Sequence, residues 1–295
     1  MFMKYSPPIM KRKTTCVGLA LDLLKRWHVL EKDFPGIGLA TSIVSCEESV
    51  QDVREYVMMG DGPYSIEFAE KEHVVVCTQV IIDGRPGVML ADPGYHLSKL
   101  ITVMYDKMYP NTGWFHHPGD PNCNRDNAYG YNSWNSNYVE WRDRTDKGES
   151  VKSQTSLIYV AQPFLDAINI TERRNLVYNL RSLVARDAEG HLLAGMCFRV
   201  INKVERATFT LFVNNGVEKV KDKYSFYEFR EPHNVTPSTL EKIEQCSVKM
   251  RYKKNKLLDI ITKIAKIYMD QSFIDQMLKI NDDISRSTNS STAAE

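Results

Sequence analysis

His73-Val74-Val75-Val76-Cys77-Thr78-Gln79-Val80-Ile81-Ile82-Asp83-Gly84-Arg85-Pro86-Gly87-Val88-Met89-Leu90-Ala91-Asp92 is the stretch that decides the fold. From Glu72 to Ile82 it is rich in β-branched residues and free of proline, which reads as a strand. Asp83 to Gly87 concentrates turn formers, and Val88 to Asp92 runs back, so the pattern predicts a β-hairpin. A histidine opens the first strand and an aspartate closes the second. Antiparallel pairing brings those two ends together.

Upstream of the hairpin the period is helical. Val17, Ala20, Leu21, Leu24 and Trp27 recur at spacings of three and four between Cys16 and about Lys32, with Thr14 and Thr15 placed to cap the start. Asp33-Phe34-Pro35-Gly36 ends that helix, and a second is expected over residues 49–59. Cys16 therefore sits at a helix N-terminus, where unpaired N–H groups and the positive dipole end favour a thiolate and can hold an oxyanion. His73 is placed to act as its base, with Asp92 fixing the imidazole tautomer and stabilising its charged form. Each residue alone has an ordinary reading: a helical cysteine is commonly a small buried hydrophobe. The joint arrangement is what points to a catalytic Cys-His-Asp system. Cys46 follows the strand-like Thr41–Ser45 and lacks a comparable helix start.

Downstream the chain changes character. Residues 106–155 hold Trp114, Trp134 and Trp141, many asparagines and few aliphatics, and the expectation is a long ordered loop packed by its aromatics. In that reading it covers the entrance above Cys16, with Trp114, Phe115 and Tyr131 lining a substrate pocket. Residues 156–233 return to short strands (156–160, 176–184, 193–201, 207–213 and 224–230), which suggests an antiparallel, barrel-like β region. Residues 234–284 read as C-terminal helices, with Leu257, Ile260, Ile261, Ile264 and Ile267 on one face, and 285–295 as a disordered tail. The fold class is thus α+β: a helix bearing the nucleophile packed on antiparallel sheet (1–105), a middle β-barrel-like region and C-terminal helices.

Composition narrows the function. The formal charge of +1, from 38 basic and 37 acidic residues, offers no global attraction for nucleic acid. No apolar run is long enough to span a membrane, and residues 1–15 contain no signal-like apolar core. Six cysteines without a CxxC pair suggest reduced thiols in a cytoplasmic protein. His116, His117, Cys123 and Asp126 fit no zinc spacing, and no metal is expected. The basic run from Lys249 to Lys256 reads as a solvated helix face.

Residues 73–96 resemble the His-to-Asp hairpin of the arylamine N-acetyltransferases, in which an Asp, a small turn and an aromatic close the hairpin as Asp92-Pro93-Gly94-Tyr95 does. The wider transglutaminase-like superfamily shares the order Cys at a helix start, then His, then Asp on neighbouring strands. The resemblance implies Cys16 as nucleophile, His73 as base, Asp92 as orienter, and a cysteine-dependent acyltransferase working through an acyl-thioester. A small-molecule acyl donor, with acyl-CoA as co-substrate, and an amine acceptor would be its partners. A glutamine side chain or peptide as donor would instead make it a transglutaminase-like or papain-like thiol hydrolase with a protein substrate. A catalytically inactive binding module of the same fold, using loop 106–146 as contact surface, is the non-enzyme alternative.

Overall fold

The computed structural model describes residues 4–10, 15–58, 72–95, 97–117, 124–146, 148, 150–164, 168–216, 218–231, 233 and 235–290; the chain divides into two units, Met1–Leu176 and Val177–Glu295. Both mix helix with antiparallel sheet, so the chain is α+β. No helix among the described residues is long and apolar enough to cross a membrane.

The first unit is built on an eight-stranded sheet. Its strands are β1 (Thr41–Glu47), β2 (His73–Ile82), β3 (Arg85–Ala91), β4 (Ile101–Met104), β5 (Phe115–His117), β6 (Asn124–Tyr131), β7 (Tyr138–Asp146) and β8 (Val151–Tyr159). They lie in the order β4-β3-β2-β1-β8-β7-β6-β5, every pairing antiparallel, and the sheet curls. The expected hairpin forms as β2–β3, with Val76 opposite Ala91 and Ile82 opposite Arg85.

The centre of this sheet is covered on both faces, so β1 and the first half of β2 form a nearly unbroken buried run rather than an alternating one. Because strand side chains alternate, the run divides into two cores. Ile43, Val74 and Val76 face helix α1 (Cys16–Trp27) and meet its Val17 and Ala20. Val44, Cys46, Val75 and Cys77 face the inside of the curl and meet Val88, Leu90, Tyr129 and Trp141. The threonine cap is Thr15, whose hydroxyl accepts from the Gly18 N–H at 3.2 Å; Thr14 lies outside the described residues. The helix gives way at His28 to a 3₁₀ turn ending at Lys32. Two short helices follow, α2 (Ile37–Ala40) before β1 and α3 (Val53–Met58) within the stretch 49–59 where a helix is expected.

Residues 106–155 correct the sequence reading: they are not a loop but supply β5, β6, β7 and most of β8. Aromatics replace aliphatics on the inward face. Tyr129 and Trp141 are cross-strand partners with stacked rings 5.9 Å apart, and the Trp141 indole N–H donates to Asn127 Oδ1 at 2.8 Å. Some of the asparagines make the β6–β7 turn. Asn132 Oδ1 accepts the N–H groups of Trp134 and Asn135, and Asn135 Oδ1 that of Asn137. The curled, barrel-like sheet therefore spans residues 41–159 rather than 156–233.

After β8 comes α4 (Ile168–Val177), which replaces the start of the strand expected over 176–184. The second unit is a four-stranded meander, β9 (Leu180–Arg186), β10 (Leu192–Arg199), β11 (Thr208–Asn214) and β12 (Lys219–Ser225), followed by α5 (Pro237–Lys249), α6 (Lys256–Ile267) and α7 (Gln271–Ser290). Residues 226–230 are a 3₁₀ turn, not strand. On α6 the buried stripe is Leu257, Ile261 and Ala265, and Ile267 is half exposed. The end expected to be disordered is helical to Ser290, because α7 continues the helical pattern; residues 291–295 lie outside the described residues.

Ile43 is the fully buried side chain that α1 rests on. Ile43→Ala should cost about 2–5 kcal/mol, measured as a lowered denaturation midpoint. It should also loosen the seating of Cys16, seen as slower alkylation of that thiol under native conditions.

Candidate active site

The β2–β3 register explains how the hairpin builds a site. Continued one step past the end of β3, it sets Asp92 opposite Val75, and two steps more bring Gly94 level with His73. Asp92 is then the diagonal neighbour of His73 on the same face, within side-chain reach. The His73 Nε2 to Asp92 Oδ2 distance is 2.9 Å, and both residues are buried. The Tyr95 N–H donates to the other carboxylate oxygen at 2.9 Å. The Tyr95 ring meets the imidazole edge to face with centroids 4.5 Å apart, and its hydroxyl donates a short hydrogen bond to Glu48. Burial, and then Glu48, push the Tyr95 phenol far up, so it remains neutral.

Helix α1 brings the third member. Cys16 is partly exposed and lies beside the imidazole, close enough for its side chain to help hold the His73 proton. With Nε2 held by Asp92, the nitrogen left for the sulfur is Nδ1. Gly94 marks how tightly the three meet. A Cβ there would stand 2.6 Å from His73 Cε1, 2.9 Å from Cys16 Cβ and 3.3 Å from Asp92 Oδ1. A residue with any side chain would separate them. Burial favours the neutral imidazole, but Asp92 and then Cys16 outweigh it, and His73 holds its proton well above the usual histidine range.

The structure thus brings Cys16, His73 and Asp92 together. Trp114, Phe115 and Tyr131 fall elsewhere. From His73 the rings run through Tyr95, Trp141 and Tyr129 to Phe115, so three rings intervene. Tyr131 packs on Tyr105 at 5.5 Å, and Trp114 is half exposed under the Arg142 guanidinium. These residues belong to strands and their ends, which carry them around the curl. The groove beside the triad, about 260 Å³, is lined by Leu23 and Trp27 of α1, Ala91 to Pro93, and Leu97 to Leu100. It contains Lys99, whose ammonium lies 4.5 Å over the Phe115 ring, and this is the link between Phe115 and the groove.

Sequence reasoning missed three contributors: Gly94, the Tyr95–Glu48 clamp, and Asn175 of α4, whose Nδ2 donates to Cys16 Sγ at 3.5 Å. The Asp-Pro-Gly-Tyr run signalled the first two. Nothing local signals Asn175.

His116 and His117 are adjacent on β5, one exposed and one buried, and point to opposite faces, so the two rings do not converge on one ion. His116 instead pairs across the strands with Asp126 at 3.3 Å; Cys123 lies outside the described residues. Asp187, Glu189 and His191 cluster in the β9–β10 turn, where Asp187 accepts from the His191 backbone N–H at 2.7 Å.

Comparison with family models, curated proteins and solved structures gives no match for this chain.

Two measurements check the geometry. In an NMR titration the His73 ring should still be protonated at pH 7, and Asp92→Asn should move its midpoint down. The sign for stability follows. A raised histidine contributes stability fully present below its unfolded pKa of ~6.5 and lost as pH rises through the folded value. Asp92→Asn should flatten that dependence. Gly94→Ala, displacing the imidazole from the sulfur, should cut activity at Cys16 by about a hundredfold.

Proposed function

We propose that this protein is a cysteine-dependent acyltransferase acting through an acyl-thioester on Cys16. The observation that carries the reading is the Cys16–His73–Asp92 arrangement: a partly exposed cysteine at a helix N-terminus, beside a buried imidazole that a buried carboxylate holds. A protonated ring beside the sulfur stabilises the thiolate, the nucleophilic form. The thiolate adds to the carbonyl carbon of an acyl donor, the tetrahedral intermediate expels the leaving group, and His73 is placed to give that group a proton. An amine then attacks the acyl carbon while His73 takes its proton as general base. The second tetrahedral intermediate collapses by breaking the C–S bond, which returns its electron pair to the Cys16 thiolate and releases the amide. Asp92 keeps the ring oriented with its working nitrogen on the sulfur side.

The groove along Leu23, Trp27, Asp92 and Lys99 is the place for the donor, and its mixed apolar and cationic lining suits an acyl chain attached to an anionic carrier such as acyl-CoA. The five described cysteines are free, in keeping with a reducing, cytoplasmic setting.

Intact-mass measurement after incubation with an acyl-CoA tests the reading. One added acyl group, absent in Cys16→Ala, is the expected result. Labelling by peptide-like electrophiles without acylation by CoA esters would make the protein a thiol hydrolase, and no labelling by either would leave a binding module. Cys16, partly exposed and beside the imidazole, should also react with iodoacetamide ahead of the buried thiols Cys46, Cys77 and Cys246. Buried Cys77, pushed up to about 12 by burial, should stay unlabelled.

A further inference from the structure

Acyl transfer through a thioester needs more than a nucleophile and a base. When the thiolate adds to the carbonyl, the C=O electron pair moves onto oxygen, and something must meet that charge. Two sources of N–H groups converge on Cys16. One is the start of α1. The first intrahelical backbone bond is Leu19 N–H to Thr15, and Thr15 Oγ1 takes the Gly18 N–H, so the N–H groups of Cys16 and Val17 precede the hydrogen-bonded part of the helix. The other is a side chain from α4, more than a hundred and fifty residues away in sequence: Asn175 Nδ2, 3.5 Å from the sulfur.

Asn175 is held there by its surroundings. Its neighbour Arg174 is buried and lies 3.6 Å from Glu72, the residue before His73. Arg173 donates to the Tyr5 carbonyl at 3.2 Å, and Asn169 to the Ser6 hydroxyl at 3.3 Å. The contacts that seat α4 therefore include one to the residue that leads directly into the hairpin.

We infer that Asn175 is a catalytic residue, donating its side-chain N–H to the oxyanion of the tetrahedral intermediate on Cys16, together with the N-terminal amides of α1. In the resting enzyme the amide donates to the sulfur. Once the sulfur is bonded to the acyl carbon, the oxygen on that carbon lies one bond beyond, within reach of the same donor. The oxyanion then collapses, the new S–C bond remains, and the bond to the leaving group breaks with its electron pair. The role rests on the proposed acyl-thioester chemistry and adds to it the group that stabilises its transition state.

The test separates thiol reactivity from carbonyl chemistry. Iodoacetamide alkylates the thiolate at a saturated carbon and forms no oxyanion, whereas p-nitrophenyl acetate acylates it through one. For Asn175→Ala, acylation by p-nitrophenyl acetate should fall by about a hundredfold or more, whereas Cys16 alkylation, which loses only the resting N–H···S contact, should change far less. Asn175→Leu, with the same branched connectivity as asparagine and without a donor, should behave alike and serves if the alanine variant does not fold. Acylation and alkylation falling together in the folded variants would overturn the inference, since Asn175 would then only hold the thiol. Unchanged acylation would overturn it as well. Failure of the wild-type protein to form an acyl-enzyme while Cys16 alkylates normally would instead sink the acyltransferase reading itself, and this role with it.

Discussion

The hydrogen bond between His73 Nε2 and Asp92 Oδ2 is the constraint around which the first unit is organised. Both side chains are buried, and burying a charged pair is costly unless the remaining polar atoms also find partners. Tyr95 N–H serves the second carboxylate oxygen, and the side chain of Cys16 lies against the ring. All of this depends on one hairpin register. A slip by a single residue would turn Asp92 to the opposite face and leave a buried imidazole without its carboxylate. The two cores on either side of β1 and β2 oppose such a slip, because it would exchange the residues facing α1 with those facing the inside of the curl.

What was legible in the sequence was local. The hairpin is written in β-branched residues and a dense turn cluster, and α1 in its three-four spacing and threonine cap. Cys16, His73 and Asp92 stand at the ends of those elements, so finding the elements located the triad. The segment 106–155 was misread because the strand signal sought was aliphatic. In β6 and β7 the inward positions are aromatic or polar: Tyr129 and Trp141 stack, Asn127 satisfies the indole, and buried Asp143 pairs with Arg125. The outward positions Arg142 and Arg144 alternate with them, and that period of two was present in the sequence behind an unusual composition.

Groups supplied by tertiary packing were not legible. The α4 stretch Ile-Asn-Ile-Thr-Glu-Arg-Arg-Asn-Leu-Val is only weakly amphipathic and ends in residues that also suit a strand. Its value lies in polar side chains, Arg174 against Glu72 and Asn175 against Cys16, and no periodicity announces a contact across that sequence distance. The pocket residues failed for a related reason. Trp114, Phe115 and Tyr131 were assigned to the site as parts of a covering loop, whereas strand geometry fixes where each ring goes. The groove draws instead on Trp27, an aromatic whose helix already carries the nucleophile.

Two thiols adjoin the triad histidine, and the backbone decides between them. Cys46 stands directly opposite His73 in the β1–β2 ladder and opposite Ile158 in β8. It is fully buried, and as part of a central strand its backbone is committed to sheet pairing. A carbonyl could neither reach it nor find a free N–H there to receive the developing charge. Cys16 differs on both counts. It is partly exposed, and it stands where a helix begins, the place in a regular element where consecutive N–H groups are left over by geometry rather than by accident. The same imidazole therefore adjoins one sulfur that can only fill the core and one that can carry an acyl group. In the proposed reading, placing the nucleophile on α1 rather than on the sheet is what would open a buried His–Asp pair to a substrate.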